Sequence, residues 1–109
     1  MERVFSASAS GSTVEVTAGE SFAVELTENP TTGYRWDFVP DSGIEVVSSS
    51  YTANPGGGVG GAGLRKFVFR AFEPGEFYVR GRLWRQWLGD SSAIQRFELR
   101  VRVSAAVGG

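Results

Sequence analysis

The side chains that usually carry out catalysis are scarce in this sequence. None of its 109 residues is a histidine or a cysteine. A Ser-His-Asp triad, a histidine general base, thiol catalysis and zinc sites with histidine or thiolate ligands are therefore excluded. The remaining acid–base candidates are carboxylates such as Glu28, Asp37, Asp41 and Asp90, and no two of them form a recognisable pair. The sequence predicts no catalytic, metal or cofactor site, and it disfavours an enzyme.

A segment of asparagine, proline, threonine and glycine is the first candidate for binding. Residues 29–33, the first loop, read Asn29-Pro30-Thr31-Thr32-Gly33. Pro30 fixes its own φ and biases Asn29 toward an extended backbone, while Gly33 can adopt the positive φ that turns the chain back. The loop is therefore predicted to be stiff, with Thr31 and Thr32 held at its tip. The same pattern is also typical of a plain rigid turn.

Glycine dominates a second segment, residues 54–63, the second loop. Six of the eight residues from 56 to 63 are glycines. A phosphate-binding loop would end in Gly-Lys-Ser/Thr or precede a helix, and this segment does neither. It is either a flexible linker or a place where the missing side chains let a partner approach closely.

Tryptophan and arginine mark a third segment, residues 85–92, the third loop. Arg85, Gln86 and Trp87 open it, and Trp84 precedes it. Arginine and tryptophan are enriched at the energetic centres of protein interfaces. Trp84 is an equally good candidate for covering the end of the core. Stacking of single-stranded nucleic acid is disfavoured, because the pI is about 5.4.

Alternation of apolar and polar residues predicts the strands that hold these loops. No helical periodicity lasts three turns, and Trp36 falls at a core position. Seven short strands in about 100 residues predict an all-β fold, an immunoglobulin-like antiparallel β-sandwich of about seven strands. We expect one domain over residues 1–109, with a core at 12–103 and a frayed tail at 104–109. The predicted strands are residues 14–16, 22–26, 34–38, 44–51, 65–72, 77–84 and 95–103.

Strand direction predicts that the three loops lie together. If consecutive strands run in opposite directions, the connections alternate between the two ends of the sandwich, and the first, second and third loops share one end. The connections at the other end have ordinary turn sequences. Three unusual loops at one end are what a recognition edge would present.

The charges are distributed unevenly along the chain. The formal net charge is −1, but residues 1–64 carry −6 and residues 65–109 carry +5. Strands from both halves interleave in a small β domain, so we expect a mixed surface and no nucleic-acid partner. No apolar run is long enough for a signal peptide or a membrane span. We expect a soluble protein without a membrane partner, either cytosolic or the mature form of an exported protein.

The three loops, in this order and with these strand spacings, resemble those of the chagasin-like inhibitors of papain-family cysteine peptidases. Family members share an immunoglobulin-like sandwich and present Asn-Pro-Thr-Thr-Gly, Gly-x-Gly-Gly and Arg-Pro-Trp loops. The resemblance covers residues 12–103, and Tyr34-x-Trp36 continues the first motif in the family's style. The second motif fits Gly58-Val59-Gly60-Gly61 or, counted back from the turn at residues 73–75, Gly60-Gly61-Ala62-Gly63. In the third motif, Gln86 replaces the proline, which removes a fixed φ and predicts a less preorganised loop.

The resemblance implies a monomeric, reversible inhibitor that needs no cofactor and whose partner is a papain-family cysteine peptidase. The first loop would enter the active-site cleft and cover the catalytic cysteine, and the other two loops would contact the cleft walls. The residue types alone leave open a non-inhibitory immunoglobulin-like binding or adhesion module that recognises a peptide, glycan or partner domain through Trp84 and Trp87. The implied peptidase-binding residues are Asn29, Pro30, Thr31, Thr32, Gly33, Gly58, Gly60, Gly61, Ala62, Gly63, Arg85, Gln86 and Trp87.

Overall fold

A computed structural model describes residues 3–53 and 62–106, which form two four-stranded sheets packed face to face. The described strands are β1 (Arg3–Phe5), β2 (Thr13–Thr17), β3 (Ser21–Glu28), β4 (Arg35–Pro40), β5 (Ile44–Ala53), β6 (Gly63–Ala71), β7 (Gly75–Trp84) and β8 (Gln95–Ser104). One sheet has the order β1-β3-β6-β5 and the other has the order β2-β8-β7-β4. The predicted all-β, immunoglobulin-like sandwich is confirmed.

The amino-terminal strands differ from the prediction. β1 was not predicted, and it lies outside the expected core of residues 12–103. It pairs in parallel with β3, and β2 pairs in parallel with β8. Between them the chain passes through a one-turn 3-10 helix, Ala7–Ala9, and crosses from one sheet to the other. The expected tail also begins too early, because Ser104 still pairs with Thr17.

Aromatic rings fill the space between the sheets. The ring of Phe38 lies 4.6 Å from that of Phe67, 5.5 Å from that of Phe69 and 5.8 Å from that of Phe97, measured between centroids. Trp36 is buried, which confirms the predicted core position. On β8, Phe97, Leu99, Val101 and Val103 point inward, as the alternation predicts.

Ion pairs join the acidic first half of the chain to the basic second half. Four of them are Glu28–Arg65, Asp37–Arg82, Asp41–Arg80 and Glu45–Arg70. In each pair the carboxylate comes from residues 1–64 and the guanidinium from residues 65–109. The predicted mixed surface is therefore confirmed.

Strand register places the three loops at one end of the sandwich. Glu28 at the end of β3 pairs with Gly63 at the start of β6, and Gly63 also pairs with Ala53 at the end of β5. In the other sheet, Arg35 at the start of β4 pairs with Trp84 at the end of β7. The shared end is the one predicted from strand direction. Within residues 3–53 and 62–106, no helix has the length and apolar character needed to cross a membrane.

Candidate functional site

The first loop is a single turn of 3-10 helix closed by its own side chains. The turn covers Pro30–Thr32, and Asn29 caps its amino end with an extended backbone. The Asn29 Oδ1 atom accepts the backbone N–H of Thr31 at 3.1 Å and the hydroxyl of Thr31 at 2.6 Å. Proline is favoured at the first position of a helix because its missing N–H would have no partner there. Gly33 ends the turn with φ of 80°, which confirms the predicted positive φ.

Thr32 closes the other side of the same turn. Its hydroxyl donates to the backbone oxygen of Asn29 at 2.8 Å and accepts the N–H of Tyr34 at 3.3 Å. Thr31 and Thr32 nevertheless remain exposed to solvent. The loop therefore presents an exposed tip that is closed by hydrogen bonds within the loop. Thr31 and Thr32 lie at this tip, as predicted, but the hydrogen bonds themselves were not predicted.

The third loop consists of two consecutive 3-10 turns, Gln86–Leu88 and Asp90–Ser92. Gly89 joins the two turns with φ of 82°. The hydroxyl of Ser92 accepts the backbone N–H of Arg85 at 3.0 Å and donates to the backbone oxygen of Gly89 at 2.6 Å. Ser92 thus closes the loop where it leaves β7, a role that its sequence context did not reveal.

Asp90 anchors the third loop to the strands on either side of it. Its carboxylate accepts hydrogen bonds from Arg82 on β7 at 2.9 Å and from Arg96 on β8 at 3.1 Å. The hydrogen bond from Arg96, followed by that from Arg82, holds the pKa of Asp90 below its ordinary value. The ionised carboxylate of Asp90 therefore holds the third loop to β7 and β8.

Arg85 ties the third loop to the first loop. Its guanidinium donates from Nη2 to the backbone oxygen of Thr32 at 3.0 Å and from Nε at 3.3 Å. It also stacks over the ring of Tyr34, 4.4 Å from the ring centroid. Because these contacts engage the guanidinium within the domain, Arg85 holds the first loop in position.

Trp87 and Gly33 bring the first and third loops into contact. A Cβ atom placed on Gly33 would lie 2.8 Å from Cη2 of Trp87, so only glycine allows the indole to sit this close. The side chain of Trp87 is nevertheless 70% exposed. The two loops therefore form one continuous surface with a large aromatic side chain at its edge.

A cavity of about 390 Å³ separates this pair of loops from the outer face of β4 and β7. Trp84 lines it on the face opposite the core, with the Arg82 guanidinium stacked over its ring. Trp84 therefore does not cover the end of the core, which was one of its two predicted roles. The lining residues are Pro30, Gly33, Arg35, Trp36, Asp37, Trp84, Gln86 and Trp87.

The second loop lies largely outside the described residues, including the predicted contacts Gly58, Gly60 and Gly61. Ala62 is half-buried, and Gly63 is buried as the first residue of β6. A Cβ on Gly63 would collide with the backbone oxygen of Thr52 and with the ring of Tyr51. The glycine at 63 is therefore required by packing between β5 and β6.

Sequence reasoning treated Glu28 only as a candidate acid–base group. Its side chain is fully buried, and its Oε1 accepts the backbone N–H of Trp36 at 2.7 Å. Its Oε2 accepts two hydrogen bonds from Arg65, at 2.8 and 3.0 Å. The burial of Glu28 could have been predicted from the alternation of residues along β3, which places Glu28 on the same inward face as Leu26. A carboxylate at an inward position predicts a buried partner.

Comparison with known proteins agrees with the fold. The sequence model of the chagasin family peptidase inhibitor I42 matches residues 15–101. Chagasin from Trypanosoma cruzi is 27% identical over 100 residues, which is 86% of this chain and 91% of chagasin.

Solved structures show the same architecture. The crystal structure of EhICP2, a cysteine protease inhibitor from Entamoeba histolytica, has a TM-score of 0.81 at 13% identity, covering 94% of this chain and 95% of that one. The inhibitor PbICP-C, solved in complex with falcipain-2, has a TM-score of 0.59 at 19% identity, covering 95% and 90%. At these identities the solved structures establish the fold alone.

The family match spans most of the sandwich and contains both the first and the third loop. The matching family is one of peptidase inhibitors, so the domain is not an enzyme. The chain belongs to the chagasin family of peptidase inhibitors.

Proposed function

We propose that this domain inhibits papain-family cysteine peptidases by reversible occlusion of the active-site cleft, with the first loop entering the cleft. The observation that carries the proposal is the rigid union of the first and third loops through Gly33, Trp87 and Arg85. The partner class is supported by the relatives, since PbICP-C was solved in complex with falcipain-2.

Preorganisation is the physical basis of the inhibition. The first loop already satisfies its asparagine and threonine side chains internally, so little conformational entropy remains to be lost on binding. A peptidase that closes around such a loop gains contacts without ordering it. Three loops at one end could together form an interface of standard size, about 1,600 Å² in total. Neither a nucleophile nor a metal is needed on the inhibitor.

The proposed contacts divide into two groups. Thr31 and Thr32 at the exposed tip, with Gln86 and Trp87 on the third loop, face the peptidase directly. Asn29, Pro30, Gly33 and Arg85 keep this surface in shape. Gly58, Gly60, Gly61 and Ala62 are assigned to the opposite cleft wall through the resemblance of the second loop, and Gly63 supports that loop from β6.

Titration of papain with the purified domain tests the proposal. We expect hydrolysis of a peptide substrate to fall to zero at a stoichiometric endpoint and to recover on dilution with excess substrate. A small panel of papain-like peptidases extends the test. If a large molar excess leaves the rate unchanged for every enzyme, the proposal is wrong. Binding of another partner under those conditions would instead support a non-inhibitory module.

Thr31→Asp locates the inhibitory surface. A carboxylate at the exposed tip should be desolvated in the cleft and should therefore raise the inhibition constant without changing the thermal midpoint. Thr13→Asp is the matched control, because Thr13 is an exposed threonine on β2, away from the loops. Equal inhibition by the two variants would remove Thr31 from the contact surface.

A further inference from the structure

A buried ion pair lies beneath the first loop. The carboxylate of Glu28 is fully buried, while the side chain of Arg65 is 21% exposed. Nε and Nη2 of Arg65 both donate to one oxygen, Oε2 of Glu28. Such pairs are costly to desolvate and commonly add little to stability, so their position in the fold is informative.

The carboxylate bridges the two ends of the first loop. Glu28 is the last residue of β3, and its Oε1 accepts the N–H of Trp36 on β4, across the loop between these strands. The indole N–H of Trp36 adds a second link, to the backbone oxygen of Thr27 at 3.0 Å. Because β3 and β4 belong to different sheets, these bonds set where the loop starts and where it returns.

Arg65 extends the same network to the strands that carry the second loop. It lies on β6, beside Leu26 of β3 and Tyr51 of β5 in the strand register. Its guanidinium lies over the Tyr51 ring, 5.4 Å from the centroid. The contacts from Trp36 through Glu28 and Arg65 to Tyr51 therefore cross the base of two loops.

We infer that Glu28, held by Arg65, is the positioning residue that keeps the first loop in its inhibitory conformation and prevents its cleavage by the bound peptidase. The inference rests on the proposed inhibition of papain-family peptidases. A peptidase hydrolyses a peptide bond, with consumption of one water, only when that bond reaches the nucleophile in an extended geometry. The 3-10 turn resists this geometry as long as both of its ends are fixed.

Glu28→Gln selectively removes the ion pair between residue 28 and Arg65. The oxygen of the glutamine amide can still accept the hydrogen bond from the Trp36 N–H. The amide nitrogen is a donor and cannot accept the hydrogen bonds from Arg65. If the inhibitory conformer falls to a tenth of the population, the inhibition constant rises about tenfold. We also expect slow hydrolysis of the variant at a bond within residues 29–34, detected by mass spectrometry. Arg65→Met should reproduce both effects, and Arg65→Lys should restore inhibition in part because it keeps the charge.

Glu45→Gln is the matched control. Glu45 pairs with Arg70 in the same sheet, but at the opposite end, and both side chains are about half exposed. We expect its inhibition constant and resistance to cleavage to equal those of the parent domain. Cleavage spread across the chain in Glu28→Gln would indicate global unfolding and would overturn the positioning role.

Amide hydrogen exchange of the free domain separates this inference from the proposed function. In Glu28→Gln, the amides of residues 31–36 should exchange at least several-fold faster, while those of Leu99 and Val101 in the core keep their parent rates. The inference is overturned if the first loop of Glu28→Gln exchanges at the parent rate. It is also overturned if Glu28→Gln inhibits as well as the parent domain and its first loop is not cleaved. Failure of the parent domain to inhibit any peptidase contradicts the proposed function, and the exchange measurement still decides whether Glu28 positions the loop.

Discussion

Gly33 is the residue on which both the turn of the first loop and its contact with the third loop depend. Its φ of 80° lies in the left-handed region, and its α-carbon faces the edge of the Trp87 indole. An L-residue at this position meets a backbone cost of about 1–2 kcal/mol. It also meets a steric contact with Trp87, which must move. One side chain therefore alters two loops.

Replacing Gly33 by alanine should weaken both the fold and the inhibition. We expect a fall of several degrees in the thermal midpoint and a rise of about tenfold or more in the inhibition constant, because Trp87 is displaced from its contact position. Gly19→Ala is the control: Gly19 has φ of 98°, and a Cβ there would meet nothing within 4 Å. Equal inhibition constants for the two variants would contradict the role of the Gly33–Trp87 contact.

Trp87→Ala should remove a dominant contact with the peptidase. The side chain is 70% exposed in the free domain, so its loss should change the thermal midpoint little. Truncation of a tryptophan at an interface centre costs on the order of 2 kcal/mol, which corresponds to roughly a thirtyfold rise in the inhibition constant. Phe72→Ala, an exposed aromatic at the opposite end, should leave inhibition unaltered. A parent-like constant for Trp87→Ala would remove this residue from the site.

Residue types in the loops predicted local conformation well and long-range contacts poorly. Proline and glycine predicted the stiff turn of the first loop because their backbone preferences act within one or two residues. The bond from Arg85 to Thr32 joins residues 53 positions apart in the sequence, and nothing in either residue type specifies it. The role of Glu28 was within reach, since alternation placed a carboxylate inside, but its partner Arg65 depends on strand order.

Among the elements, the third loop departs from the family motif at Gln86. Gln86 opens a 3-10 turn, at a position where the backbone N–H has no partner within the helix. Arg85 before it has φ of −100° and ψ of 108°, an extended conformation that a following proline favours. The loss of proline was expected to loosen the loop, yet Ser92 and Asp90 hold it from the other side.

Gln86→Pro should therefore stabilise the domain and tighten inhibition. Fixing φ at a compatible position typically contributes about 0.4–1 kcal/mol, mainly by restricting the unfolded chain. We expect a higher thermal midpoint. We also expect a lower inhibition constant, because proline restricts the third loop in the free folded domain and leaves less entropy to be lost on binding. Gln86→Ala, which removes the side chain without fixing φ, separates the backbone effect from a lost contact. A lower midpoint for the proline variant would show that the turn does not accept it.

The third loop should also loosen in acid. The pKa of Asp90 is lowered in the folded domain by the hydrogen bonds from Arg96 and Arg82. Ionised Asp90 therefore stabilises the loop at pH values above the unfolded pKa, and this contribution is lost as pH falls through the folded value. We expect Asp90→Asn to differ from the parent in amide exchange over residues 86–92 at pH 7 and to converge with it only at an acid pH below the lowered pKa of Asp90, which itself lies below the ordinary value of about 3.9. A difference that is the same at both pH values would contradict this assignment.

On the scale of the whole molecule, the sequence predicted the fold class and the shared loop end because both follow from alternation and strand direction. It did not predict β1, since three residues are too few to show a period of two. The parallel pairing of β1 and β2 with strands of two different sheets also has no local signal. Both pairings depend on where the amino-terminal segment crosses between the sheets.

Strand order also makes the domain separable into two complementary pieces. Strand β6 lies between β3 and β5, and the neighbouring strands β7 and β8 lie together between β4 and β2. The flanking strands all come from the first half of the chain. A break after residue 58 would leave every described strand pairing intact and would give fragments with net charges of −6 and +5. The mixed fragments should reassemble into the two-sheet sandwich, more slowly as added salt screens their attraction.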